Sequence, residues 1–222
     1  MLEVSKGIER AERELVRGWL HMPAGSQRTL GLVITHGAGS NCDSPLLVAV
    51  AEAFVAAGYP VLRCDLPYRQ LKPTGPPLPG GSARDREGLR RAVAMMREHA
   101  EAIILGGHSY GGRQASMLAA EDPGNAAEML LLLSYPLHPP RKREQLRTAH
   151  FPTLRTPALF IHGTRDPFGL IEEMRTAIEL IPGRTNLFTI EKTGHELSPL
   201  HAPVILREAA AMLEKIECFG NG

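Results

Sequence analysis

Six short apolar runs recur along this chain, and the stretches between them carry helical periodicity. The runs are Leu30–Thr35 (LGLVIT), Pro60–Cys64 (PVLRC), Ala102–Leu105 (AIIL), Met129–Leu133 (MLLLL), Ala158–His162 (ALFIH) and Leu187–Ile190 (LFTI). Short runs with little polar alternation suit strands buried on both faces. Helices are expected over Pro45–Ala57, Arg84–His99, Gly111–Ala120, Leu170–Ile181 and from about Pro203 to Ile216. Within Arg84–His99, Leu89, Val93 and Met96 fall at the spacing of one helical face. This alternation predicts the α/β class: a mostly parallel central sheet with helices on both faces. A length of 222 residues suits one domain spanning the whole chain. The proline-rich Lys72–Gly81 (KPTGPPLPGG) lies inside the alternation and reads as a loop, not a linker.

Between the third run and the third helix stands LGGHSYGG, residues 105–112. Glycine costs stability inside an element, so four of them around one serine need a reason. A G-x-S-x-G pattern between a strand and a helix is the setting of a nucleophile elbow. There the turn is too sharp for side chains two residues before and after the serine, the places of Gly107 and Gly111. Ser109 is the expected nucleophile.

A serine hydroxyl near its free pKa needs a base, and the base needs an orienting group. In an elbow fold they follow the serine in the order acid, then histidine. Asp166 in HGTRDPFG follows the ALFIH run, where a loop carries it over the C-terminal edge of the sheet. Asp122, in EDPG, is better explained by helix termination. Asp65 in RCDLPYR also ends a strand but precedes the serine. It is expected to order its own loop through backbone N–H groups or Arg69. His195 in EKTGHELSP follows the last run and precedes the last helix, which makes it the expected base. His162 is expected to orient its loop.

Acyl transfer also needs donors for a developing oxyanion. The backbone N–H groups of Tyr110 and Ala38 are the candidates, Ala38 lying in His36-Gly37-Ala38-Gly39 after the first run. Residues expected to touch substrate are His36, Tyr68, Arg69, His138 and Phe168, with Arg69 either greeting an anion or pairing with Asp65.

In this order, HGAGS, DLPYR, GGHSYGG, HGTRDPFG and TGHELSP resemble the α/β-hydrolase superfamily over nearly the whole chain. DLPYR, SYPLHPP and GTRDPFG are similar, more narrowly, to the small KANL/Tex-type hydrolases and their dienelactone-hydrolase-like relatives. The resemblance implies a Ser-His-Asp triad and no cofactor; no metal is expected from the residues. A cap is usually inserted after the strand ending here at Leu133. Only about Leu137–Thr156 is available for one, so no full cap domain is expected. The expected activity is a serine hydrolase acting on an ester, thioester or related acyl compound through an acyl-enzyme. An interaction module that keeps the fold and loses the chemistry is the alternative. The expected cleft is shallow, with short acyl esters preferred over long ones.

Other functions find little support. A net charge of +1 suggests neither a nucleic-acid nor a membrane partner, and the basic run Arg141–Arg147 (RKREQLR) reads as a solvated face. Three cysteines without CxxC spacing argue against a disulfide scaffold or zinc site. The first eighteen residues are charged throughout and lack the apolar core of a signal peptide. A small-molecule substrate and a cytoplasmic location are the expectations.

Overall fold

The computed structural model describes residues 7–139 and 141–220, with side chains described through residue 216. Eight strands form one sheet in the order β1-β2-β4-β3-β5-β6-β7-β8. They are β1 (Ile8–Arg13), β2 (Val16–His21), β3 (Leu30–Thr35), β4 (Val61–Asp65), β5 (Ala102–His108), β6 (Met129–Leu133), β7 (Ala158–Gly163) and β8 (Thr185–Ile190). From β4 to β8 the sheet is parallel, and β1 and β2 add an antiparallel edge. The helices are α1 (Pro45–Ala56), α2 (Pro67–Leu71), α3 (Ser82–Met96), α4 (Tyr110–Glu121), α5 (Ile171–Ile178) and α6 (Ala202–Gly220).

Side chains on the two faces of the sheet form two cores. One holds Leu89 and Met96 of α3, Leu118 of α4 and Met174 of α5, and the other holds Val50 and Phe54 of α1 with Ile205 and Ala209 of α6. Every residue of β6 is buried, and each such Leu contributes about 1.5–3 kcal/mol by leaving water. Alternate leucines of that strand serve opposite cores.

The hairpin β1–β2 corrects the sequence reading, which took residues 8–18 only as a charged stretch. β1 is an edge strand whose six residues leave only Ala11 buried, so it shows no apolar run. Residues 1–6 of that stretch lie outside the described residues. α2 also replaces an expected loop, started by Pro67 in its first turn, where proline's missing N–H is no loss. No separate cap domain covers the sheet. The segment between β6 and β7 holds one 3₁₀ turn, Phe151–Thr153, among its described residues. No helix of the described residues is long and apolar enough to cross a membrane.

The direction of winding reverses between β3 and β5, which are adjacent and parallel. β3 leads into α1 on one face and β5 into α4 on the other. Loops leaving these two C-termini diverge, and the crevice they open is the usual ligand position in open α/β sheets.

Candidate active site

Ser109 sits at the tip of β5 with φ 51° and ψ −115°, left-handed backbone that a serine adopts at a cost of about 1–3 kcal/mol. The glycines make this turn possible. A Cβ on Gly107 would lie 2.6 Å from the Gly111 carbonyl carbon, and one on Gly111 would lie 2.6 Å from the His36 carbonyl oxygen. The Ser109 N–H donates to Leu133 O across to β6. The strained residue is thereby tied to the next strand.

His195 and Asp166 arrive on the loops after β8 and β7. His195 Nε2 is 2.8 Å from Ser109 Oγ, and His195 Nδ1 is 2.8 Å from Asp166 Oδ2. Asp166 is 1% exposed. Its other oxygen accepts the Phe168 N–H at 2.9 Å, and His162 Nε2 lies 3.5 Å from Oδ2. His162 hydrogen-bonds Gly169 O at 2.8 Å, fastening the far end of the same loop, and burial lowers its pKa. Phe168 stacks on His195 with ring centroids 4.2 Å apart.

A second histidine and an acid also support this set. His108 Nε2 contacts the His195 carbonyl at 3.1 Å and the two rings lie 5.4 Å apart, so the residue beside the serine steadies the histidine loop. Burial lowers the His108 pKa and favours the neutral ring. Buried Asp85 accepts the Tyr110 hydroxyl at 2.8 Å and the Tyr68 N–H at 3.0 Å, which pins the residue after Ser109. Burial raises the pKa of Asp85, and burial beside that carboxylate raises the pKa of Tyr110. Among the described residues, neither the Ala38 nor the Tyr110 N–H donates to a protein acceptor, and both residues line the cleft beside Ser109. Tyr110 opens α4, where a backbone donor has no partner within the helix.

The model of the family described as "Alpha/beta hydrolase domain" matches residues 28–212. This chain belongs to the alpha/beta hydrolase family. Solved structures agree on the fold. Est1E from Butyrivibrio proteoclasticus superposes with TM-score 0.72 at 16% identity, covering 96% of this chain and 100% of that one. Dienelactone hydrolase from Anabaena variabilis gives TM-score 0.71 at 23% identity, with 92% and 95% covered. XC6422 from Xanthomonas campestris, described as an a/b serine hydrolase without lid, gives 0.67 at 13%, with 94% and 96% covered.

In this alpha/beta hydrolase the cleft over Ser109 has a volume of about 630 Å³ and includes Ala38, Pro76, Arg113, Pro136, Arg147 and Phe168 in its lining. Of the residues expected to touch substrate, Phe168 lines it. Four do not. Arg69 is 2% exposed, and its guanidinium donates to the carbonyls of Ser40, Lys72, Ala38 and Gly75 at 2.7–2.9 Å. Four of its five N–H donors are thereby engaged on the backbone, and Asp65 is not among its partners. Asp65 instead accepts Arg17 of β2 at 2.9 Å and the Cys42 N–H at 2.8 Å. Its carboxylate therefore ties β2 and the loop after β3 to the end of β4, and does not order its own loop as the sequence suggests.

His138 is buried against Pro139 O at 2.9 Å and Glu173 at 3.4 Å. His36 and Tyr68 work one step behind the cleft. His36 Nδ1 donates to Gly37 O at 2.8 Å while its Nε2 accepts the Leu66 N–H at 3.1 Å, which defines the neutral tautomer. Burial lowers the His36 pKa to about 4. The Tyr68 hydroxyl reaches Gly37 O at 3.3 Å and Ala38 O at 2.9 Å. A trans peptide points its N–H opposite its carbonyl, so gripping Gly37 O fixes the direction of the Ala38 N–H.

One group with metal-ligand proximity occurs among the described residues: His108, His195 and Glu196, with donor atoms within 4.8 Å. The two ring nitrogens that face it are engaged with the His195 carbonyl and Ser109 Oγ, and Glu196 is 85% exposed. This donor set fits hydrogen bonding better than metal binding. Burial pushes the Cys42 thiol up to about 12 and raises Cys64 further, so neither offers a thiolate.

Proposed function

We propose that this protein hydrolyses an ester or thioester bond of a small acyl compound through an acyl-enzyme on Ser109. The continuous relay from Ser109 Oγ through His195 to Asp166, with both contacts at 2.8 Å, carries this reading. Ser109 Oγ bonds to the carbonyl carbon as its proton passes to His195 Nε2, and the carbonyl π electrons move onto oxygen. Collapse breaks the bond to the leaving group, which departs with the proton from His195. Water then repeats the sequence and frees the acid and Ser109.

Asp166 keeps Nδ1 protonated, so that Nε2 faces the serine as a base, and it stabilises the imidazolium once formed. The N–H groups of Ala38 and Tyr110 receive the oxyanion. One such donor is worth about 2.7–4 kcal/mol of barrier. Without a cap the cleft is open, which favours short acyl groups. No cofactor enters these steps.

A fluorophosphonate probe tests the reading without knowledge of the substrate. Mass spectrometry should place the label on Ser109 in the wild type, and Ser109→Ala should take none. A folded wild type that stays unlabelled would point to an interaction module instead.

A further inference from the structure

Two arginines line the cleft with no acid beside them. Arg113 lies on α4 four residues beyond Ser109, on the same helical face and about 6 Å along the axis. Its Nε is buried without a hydrogen-bond partner, and the residue lines the cleft. Arg147 enters from the loop between β6 and β7. Its backbone is fixed, the N–H donating to Leu137 O and the carbonyl accepting the Tyr135 hydroxyl at 2.8 Å. Its guanidinium makes only a 3.5 Å contact to Pro136 O. Among the described residues no carboxylate lies within 4.0 Å of either guanidinium.

The surroundings do not neutralise this pair. Among the groups whose pKa is clearly shifted, Arg113 acts on Tyr110, Tyr135, His150 and Arg147, none of them a carboxylate. His150 is neutral and bonded to Ser116 Oγ at 2.8 Å. Burial and Arg113 together depress the pKa of Arg147, a mark of two cations held close. The other buried or half-buried arginines find partners: Arg17 has Asp65, Arg63 has His21, Arg86 has Glu121, and Arg69 has four carbonyls. Forked donors left open in a cleft beside a nucleophile match the oxygens of a carboxylate.

We propose that the cleft selects acyl substrates bearing a carboxylate a few bonds from the scissile carbonyl, held by Arg113 and Arg147. This rests on the hydrolase reading above. Glu196, which also lines the cleft, leaves the lining with one net positive charge, which a monoanion balances. A phosphate monoester brings nearly two negative charges and fits less well.

The test compares 4-nitrophenyl hydrogen adipate with 4-nitrophenyl hexanoate, acyl chains that differ in a terminal carboxylate against a methyl. The wild type should favour adipate in kcat/KM by about tenfold or more, the scale of a hydrogen bond to a charged group, mainly through KM. That ratio should fall at least about tenfold in Arg113→Met and in Arg147→Met, and Arg113→Lys should keep part of it. Should Arg113→Met fail to fold, Arg147→Met and Arg113→Lys carry the comparison. Pentanoate should inhibit hexanoate turnover more strongly than inorganic phosphate, and the reverse order would overturn the carboxylate assignment. A ratio near one, or one unmoved by both methionine variants, would overturn the proposal while hexanoate turnover and Ser109 labelling kept the hydrolase reading. No turnover of either ester and no label would sink the hydrolase reading itself.

Discussion

Asp166 and His195, on the loops after β7 and β8, pass their hydrogen bonds outward to a hydroxyl in an open cleft. His36, on the loop after β3, and Tyr68 and Arg69, in α2 after β4, spend theirs on backbone groups close by. Both sets are buried or half-buried polar side chains at the same edge of the sheet, so neither residue type nor position on the edge separates them. What separates them is whether any donor or acceptor remains for a molecule from outside. In the first set the chain of bonds ends on Ser109 Oγ in the cleft. In the second it closes on the protein, and its product is the fixed direction of the Gly37–Ala38 peptide.

Substitution at Asp166 should break the comparison most sharply. Asp166→Asn loses the acceptor that keeps Nδ1 protonated, and kcat should fall about 10⁴-fold with a native far-UV spectrum. A near-normal rate would show that the outward relay is structural after all. Arg69→Met should behave in the opposite sense. It strands four carbonyls that now share one buried guanidinium, and a urea midpoint should report a loss of about 3 kcal/mol or more. Turnover of a short ester by the folded fraction should fall far less than in Asp166→Asn. If Arg69→Met instead kept its midpoint and lost its rate, the inner set would be part of the chemistry.

Legibility followed the same division. Ser109, Asp166 and His195 could be read because an elbow imposes glycines, an order along the chain and places after strands, all of them local patterns. The inner set could not be sorted that way. Whether Arg69 meets a ligand or four carbonyls depends on where residues 38, 40, 72 and 75 pass in space. Arg113 and Arg147 went unnoticed for the converse reason. One looked like a helix residue and the other like the end of a solvated run, of which residues 141–146 are indeed exposed. Asp85 showed only as the acidic first turn of a helix, with nothing to mark its bond to Tyr110. In the fold, β3 and β6 were read to the residue because both are buried on two faces, whereas the charged edge strand β1 offered no apolar run.

The smallest effect expected concerns His36, and it sharpens the comparison by pH. His36 titrates near 4 in the folded chain because burial disfavours its cation, against about 6.5 when unfolded. Between those values the unfolded state binds more protons, so the contribution is full above pH 6.5 and drains away as pH falls toward 4. Protonation would also convert Nε2 from the acceptor of the Leu66 N–H into a donor facing it. Buried His21 and half-buried His150 also titrate near 4 and add to the wild-type slope in the same direction. A difference between proteins isolates His36: going from pH 7.5 to pH 5, the wild type should lose about 2 kcal/mol more than His36→Gln. Urea midpoints at the two values supply the measurement. Equal losses would mean that His36 is not held neutral by its two backbone partners, and the inner set would then not be closed on itself.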